Sequence, residues 1–201
     1  MFSYCSTLAR RDTTLFGYAP GGGPGGHTTM RAGYDALAGR IYADGDSGPD
    51  GSFTSSAVAR DRYTLFGPAS PGPIAFTARL HVVGFAAVER QLHAGASAGA
   101  SLREGSDPAV ELGASAGPEG YTSIDQELAL PIRHFVGESF ELTYTASASG
   151  YGLQSTASIS GQFSFADLPP GYGVSSCQGF SGGPVVALAP TSWGKVKIRY
   201  R

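Results

Sequence analysis

The chain has 201 residues, enough for one large domain with a real core and a tight fit for two. Charged residues make up 15% of it, against roughly 25% in ordinary soluble domains; Gly, Ala, Ser and Thr take up the difference. A net charge of −2 leaves no electrostatic footprint for nucleic acid, and no apolar run approaches the roughly 18 residues of a membrane-spanning helix.

The basic residues are nearly all Arg, with Lys195 and Lys197 the only lysines, and Asn is absent. That bias points to a GC-rich bacterial genome and excludes Asn-linked glycosylation and Asn-Gly turns. Met1–Arg11 is polar and has no apolar segment of the kind a signal peptide needs. Arg10-Arg11 is similar to the start of a twin-arginine signal, but the glycines of Gly21–Gly26 follow where an apolar run belongs. Two readings stay open: a cytosolic chain, or an exported one whose leader lies outside this sequence. The low-charge, small-residue body favours export, so the expected location is extracellular or at the cell surface.

Gly17–Gly26 reads as a flexible loop. Met30–Tyr42 fits a short strand or a helix. Asp44–Ser52 is a second turn-rich stretch, and it gathers the carboxylates of Asp44, Asp46 and Asp50. Calcium favours several hard oxygens on such a loop. An EF-type loop, however, needs an oxygen ligand at its fifth position and a Glu at its twelfth, where Gly48 and Ser55 stand. A solvated acidic turn, with no cofactor, is therefore the expectation. Residues 1–55 as a whole are expected to form an irregular, glycine-rich segment packing on or preceding the core.

Alternation with period two begins in earnest after Asp61. Ile74, Phe76, Ala78, Leu80 and Val82 share one face, and Thr77, Arg79 and His81 the other. Leu128, Leu130 and Ile132 repeat the pattern, as do Phe140, Leu142, Tyr144, Ala146 and Ala148, then Ala157, Ile159, Phe163 and Phe165. Val196, Ile198 and Tyr200 alternate with Lys195, Lys197 and Arg199 in what reads as a last edge strand. Phe85–Leu92 fits a strand or a wide loop. Gly67-Pro68, Gly72-Pro73, Asp107-Pro108, Gly117-Pro118 and Pro170-Gly171 punctuate these runs. Many short strands with regular turns and no βαβ rhythm predict an all-β domain over 56–201, an antiparallel two-sheet β-sandwich with jelly-roll-like topology.

Cys5 and Cys177 fit one end-to-end disulfide in an oxidising compartment, or two unpaired thiols. Aromatic rings outside the core can stack on sugars. Tyr121, Tyr151, Tyr172, Phe180 and Trp193 are the candidates, with Tyr151, Tyr172 and Trp193 the preferred glycan contacts.

The segment Cys177-Gln178-Gly179-Phe180-Ser181-Gly182-Gly183-Pro184 resembles the nucleophile segment of trypsin-like serine proteases. The resemblance implies Ser181 as nucleophile and the Gly179 and Ser181 amides as an oxyanion hole. Phe180 stands where that family carries an Asp, and none of His27, His81, His93 and His134 sits in the family's histidine motif. A serine without a base is an ordinary alcohol.

A second resemblance spans roughly residues 50–180. Phe163–Gly179, with its apolar strand, Asp167-Leu168-Pro169-Pro170-Gly171 turn and Val174-Ser175-Ser176 strand, is similar to the closing strands of secreted bacterial β-sandwich proteins of the PEP-CTERM-associated type. Gly137–Ser149 and Asp61–Gly84 fit the same pattern; the sorting tail is absent, the sequence ending Thr191–Arg201. The resemblance implies a location and a fold more than a chemistry. The function expected is a non-catalytic extracellular structural or binding module of a bacterial surface or matrix, with extracellular glycans or other surface proteins as partners. The alternatives are a serine hydrolase using Ser181 and a lectin-like glycan-binding domain.

Overall fold

A computed structural model describes residues 10–18, 28–35, 38–48, 51–89, 94–152, 154–176 and 181–182, the first and last of these stretches by their backbone. Among them there is no helix. The strands are β1 (Arg10–Tyr18), β2 (Thr28–Asp35), β3 (Arg40–Ser47), β4 (Ser52–Phe66), β5 (Ile74–Val88) and β6 (Gly95–Glu104), followed by β7 (Val110–Ala116), β8 (Tyr121–His134), β9 (Ser139–Tyr151), β10 (Ser155–Ala166), β11 (Gly173–Ser176) and β12 (Ser181–Gly182).

They form two antiparallel sheets. One runs β2-β3-β10-β5-β8, the other β12-β11-β4-β9-β6-β7, with β1 also paired to β4. The strands β3 to β10 alternate between the sheets except for the β6–β7 hairpin. Their orders, β3-β10-β5-β8 over β4-β9-β6-β7, are those of an eight-stranded jelly roll. The jelly-roll sandwich read from the alternation is thus what the chain forms. The additions are marginal strands: β2 extends the first sheet beyond β3, while β1 and the β11–β12 hairpin share one edge of β4. β1 covers Ser52–Arg60 and β11 covers Tyr63–Phe66.

The boundary expected at residue 55 falls inside β4, and this is a correction. Residues 28–47 supply two strands of the five-stranded sheet. Ile41, Ala43, Gly45 and Ser47 all turn inward, so β3 alternates like its neighbours. What hides the alternation in the sequence is Gly45. A Cβ there would stand 2.3 Å from the Phe53 ring, and one at Gly150 would stand 2.4 Å from the same ring. Two glycines, one from each sheet, make the space that the fully buried Phe53 fills. Nor is Asp44–Ser52 a single turn-rich stretch: β3 carries it to Ser47 and β4 begins at Ser52. Met30–Tyr42, which fitted a strand or a helix, contains most of β2 and the start of β3. Phe85–Val88 completes β5, whereas residues 90–93 lie outside the described residues.

The core is graded along the strands. At one end Tyr63, Phe76, Phe140, Phe163 and Phe165 pack as a ring cluster with centroids 4.9–6.4 Å apart. At the other, β6, β7 and β9 contribute Ala96, Ala98, Ala100, Ala114, Ala116, Ala146 and Ala148. A fully buried aromatic contributes roughly 1.5–3 kcal/mol, and an alanine far less, so the ring end of the core is stabilised more strongly than the alanine end. Tyr144 joins the two regions. It stacks on Phe163 at 5.0 Å, and its hydroxyl donates to that of Tyr34 at 2.5 Å.

Candidate functional site

Because β10 is the middle strand of the five-stranded sheet, its outward residues form the floor of that sheet's outer face. They are small: Thr156, Ser158 and Ser160. The walls come from the neighbouring strands in register. Ser160 lies between Tyr42 of β3 and Val83 of β5, and Ser158 between Asp44 and Phe85. Gln162, between Arg40 and His81, closes one end. Small residues on the central strand and large ones on both flanks leave an open cleft of about 500 Å3. It is lined chiefly by Arg40, Tyr42, His81, Val83, Ser160 and Gln162.

Tyr42 is the aromatic platform of this cleft. Opposite it on β2 is Gly33, and a Cβ there would lie 2.6–2.9 Å from the phenol oxygen and ring carbons. The ring therefore lies down over the bare Gly33 backbone and presents its other face outward; Tyr42 is 43% exposed. Beyond the far wall, Phe85 stacks on Tyr121 with centroids 6.0 Å apart.

The polar groups around Tyr42 are fixed by one another. Gln162 Oε1 accepts from Arg40 Nε at 3.1 Å, while Gln162 Nε2 donates to the Ala38 carbonyl at 2.5 Å. The Phe163 amide donates to the Gly39 carbonyl, so the β2–β3 turn is tied to β10 at two points. His81 Nε2 meets Asp125 Oδ1 at 2.8 Å, and Arg79 bridges Glu127 and Asp167 at 3.3 Å each. Arg31 pairs with Asp44 at 3.5 Å, and Thr29 Oγ1 donates to Asp46. The result is a shallow trough in which planar hydrogen-bonding side chains are held beside an exposed ring.

The acids expected to form a solvated turn are thus placed otherwise. Asp44 and Asp46 lie on the outward face of β3, and Asp50 lies outside the described residues. Among the described residues, no group of three His, Cys, Asp or Glu side chains could hold a metal ion.

The aromatic candidates do not converge. Tyr121 is 68% exposed and borders the trough. Tyr151, 57% exposed, lies on the outer face of the other sheet, over Gly95. Tyr172 packs against Gly67. Tyr151 stands opposite Ser52 and Gly67 follows Phe66. Tyr151 and Tyr172 therefore mark opposite ends of the 15-residue β4, about 45 Å apart at the usual strand rise. Phe180, Trp193, Cys5 and Cys177 lie outside the described residues. Ser181 is placed by its backbone in β12, at the edge of the seven-stranded sheet, where it pairs with Ser175. The two described histidines belong to the opposite sheet. His81 is engaged by Asp125, and His134 lies within 3.1 Å of both Glu104 and Glu138. His27 and His93 are outside the described residues.

Sequence reasoning placed His81 on an outward face but missed Arg40, Tyr42, Ser160 and Gln162. They are separated by up to 122 positions in the chain, and only the jelly-roll order makes β3, β10 and β5 neighbours. The one available signal was the alternation itself, which marks Arg40/Tyr42, His81/Val83 and Ser160/Gln162 as outward pairs once those segments are recognised as strands.

No protein-family model and no curated protein matches the sequence. Among solved structures, the chain is similar to the carbohydrate-binding module TmCBM61, determined in complex with β-1,4-galactotriose. The identity is 13% and the TM-score 0.28, over 68% of this chain and 86% of that one.

Proposed function

We propose that this chain is a non-catalytic binding module of the bacterial exterior and that the outer face of its five-stranded sheet takes a glycan. The observation that carries this reading is the Tyr42 platform: a ring laid flat by Gly33, open on one face, at the side of a trough with hydrogen-bonding groups on both walls. Sugar recognition needs these two features together. The apolar C–H face of a pyranose stacks on an aromatic ring, and its hydroxyls, both donors and acceptors, need groups whose orientation is already fixed. Gln162, Arg40, the His81–Asp125 pair and Ser160 are such groups, and the hydrogen bonds among them reduce the ordering cost of binding. The low charge and hydroxyl-rich surface of the chain suit an extracellular location.

The test is retention of the chain by immobilised polysaccharides in affinity electrophoresis. Tyr42→Ala is expected to weaken retention about tenfold, equivalent to about 1.4 kcal/mol, and Tyr151→Ala on the other sheet to leave it unchanged. Retention that survives Tyr42→Ala and is lost in Tyr151→Ala would move the site to the seven-stranded sheet and overturn the reading.

A further inference from the structure

Arg40 has an arrangement that the glycan reading alone does not require. Its Nε is committed to Gln162 Oε1, and Gln162 is itself anchored through Nε2 to the Ala38 carbonyl. The guanidinium is therefore held along its Nε edge, which leaves the end-on pair of N–H groups on its two terminal nitrogens for another acceptor. Asp35, its neighbour across the β2–β3 register, accepts from the Ala38 amide through Oδ1 instead. Arg31 and Arg79 on the same face are ion-paired, to Asp44 and to Glu127 and Asp167. Among the described residues no carboxylate pairs with Arg40, although it lines the cleft two positions from the Tyr42 platform.

A guanidinium fixed through Nε presents a planar pair of N–H donors that matches the two oxygens of a carboxylate. Of the acids bordering the trough, Asp44 pairs with Arg31, Asp125 meets the His81 ring, and Asp46 and Asp35 accept from the Thr29 hydroxyl and the Ala38 amide. Among the described residues Arg40 is the cleft-lining guanidinium with no carboxylate paired to it, so it is the group an incoming carboxylate would meet. We infer that the ligand is an acidic glycan, whose uronate carboxylate is taken bidentately by Arg40 while the sugar ring stacks on Tyr42. This rests on the glycan reading of the same trough and adds the chemical class of the ligand and the residue that selects it. Gln162 is the positioning residue, since it acts through the guanidinium.

The experiment is isothermal titration of the full chain with oligogalacturonate, oligoglucuronate and oligomannuronate, each beside its carboxyl-reduced neutral counterpart, and with a sulfated galactan. At least one uronate is expected to bind ten- to a hundredfold more tightly than its reduced form, the range of a charge-assisted hydrogen bond. Arg40→Gln is expected to erase that difference, the acid and its reduced form binding this variant equally. Arg40→Lys, which keeps the charge but loses the planar fork, is expected to recover only part of it. Gln162→Ala is expected to weaken both forms and to shrink the ratio between them, because the guanidinium loses the bond that holds it. Equal binding of acid and reduced forms, with both lost in Tyr42→Ala, would overturn the acidic ligand and leave the glycan site standing. Sulfated galactan binding as tightly as the best uronate would overturn the carboxylate assignment. Binding of none of these probes would overturn both the ligand class and the glycan reading beneath it.

Discussion

The Tyr42 ring rests on the main chain of Gly33, whose missing side chain is the space the ring occupies. The contact crosses the β2–β3 register within one hairpin and sets the ring flat on the sheet. A methyl at position 33 would meet the ring at 2.6–2.9 Å and push it off the sheet. Gly33→Ala is therefore expected to weaken glycan binding about as much as Tyr42→Ala, with little loss of stability, because the displaced group is an exposed side chain. Calorimetry and thermal melts on the two variants check this. A Gly33→Ala chain that binds normally would show that the flat ring is not needed.

Gly45 stands in the opposite situation. Its Cβ would sit 2.3 Å from a ring with no exit, since Phe53 is 2% exposed and pressed from the other side by Gly150. Overpacking of this kind costs about 1–3 kcal/mol. Gly45→Ala should lower the midpoint of urea unfolding accordingly, and Gly45→Ala combined with Phe53→Leu should recover part of the loss. An unchanged midpoint in the single variant would contradict the packing described for Phe53.

Asp61 turns into the core from β4, at the two-residue interval where β1 has ended at Arg60 and β11 begins at Tyr63. Burial raises its pKa above the ordinary 3.8, opposed by hydrogen bonds from Ser176 and from the Arg62 amide. A folded-state pKa above the unfolded one means that the folded chain holds the proton more tightly. Stability from this group is thus fully present below the unfolded pKa and falls as pH rises through the folded pKa. Asp61→Asn should accordingly raise thermal stability at neutral pH, with the gain vanishing towards pH values below 3.8. A variant less stable than the parent at neutral pH would show that the ionised carboxylate is favourably held.

The same stretch of β4 bears on the cysteines. Arg10 pairs with Arg60 and Ser176 with Tyr63, so the chain positions leading to Cys5 and Cys177 are anchored about 10 Å apart along one strand edge. We propose that Cys5 and Cys177 form a disulfide. Peptide mapping without reductant should recover the two cysteine peptides joined, and removal of the bridge from so long a loop should cost about 2–5 kcal/mol. Two titratable thiols per chain in the purified native protein would contradict the pairing.

Ser181 provides a separate check on the non-catalytic reading. Its strand, β12, pairs with β11 at the edge of one sheet, while His81 and His134 belong to the other and are engaged by acids. A fluorophosphonate probe is expected to leave the chain unlabelled. Labelling that disappears in Ser181→Ala would establish a hydrolase.

What could be read from the sequence followed from side-chain size. Where inward positions are Ile, Leu or Phe, as in Ile74–Val82 and Phe140–Ala148, alternation revealed the strand and its buried face. Where the inward position is Gly45 and the outward ones are Asp44 and Asp46, the same alternation looked like an acidic turn. The glycine is there because Phe53 reaches across from the other sheet, a fact of tertiary packing. The trough was illegible for a related reason. Its residues come from three strands that the jelly-roll order places side by side, so no local spacing announces it. Tyr121, which the sequence did single out, borders the trough, whereas Tyr151 and Tyr172 stand at opposite ends of β4.

The trough on the five-stranded sheet is tested most directly by an NMR titration of the isotope-labelled chain with oligogalacturonate and its carboxyl-reduced form, followed at the backbone amides. Shifts are expected on the outer face of the five-stranded sheet, at Gly33, Arg40, Tyr42, His81, Ser160 and Gln162, with the Arg40 side-chain signals moving further for the acid than for its reduced form. Shifts gathered instead around Tyr151 and Gly95, or around Tyr172 and Gly67, would contradict it.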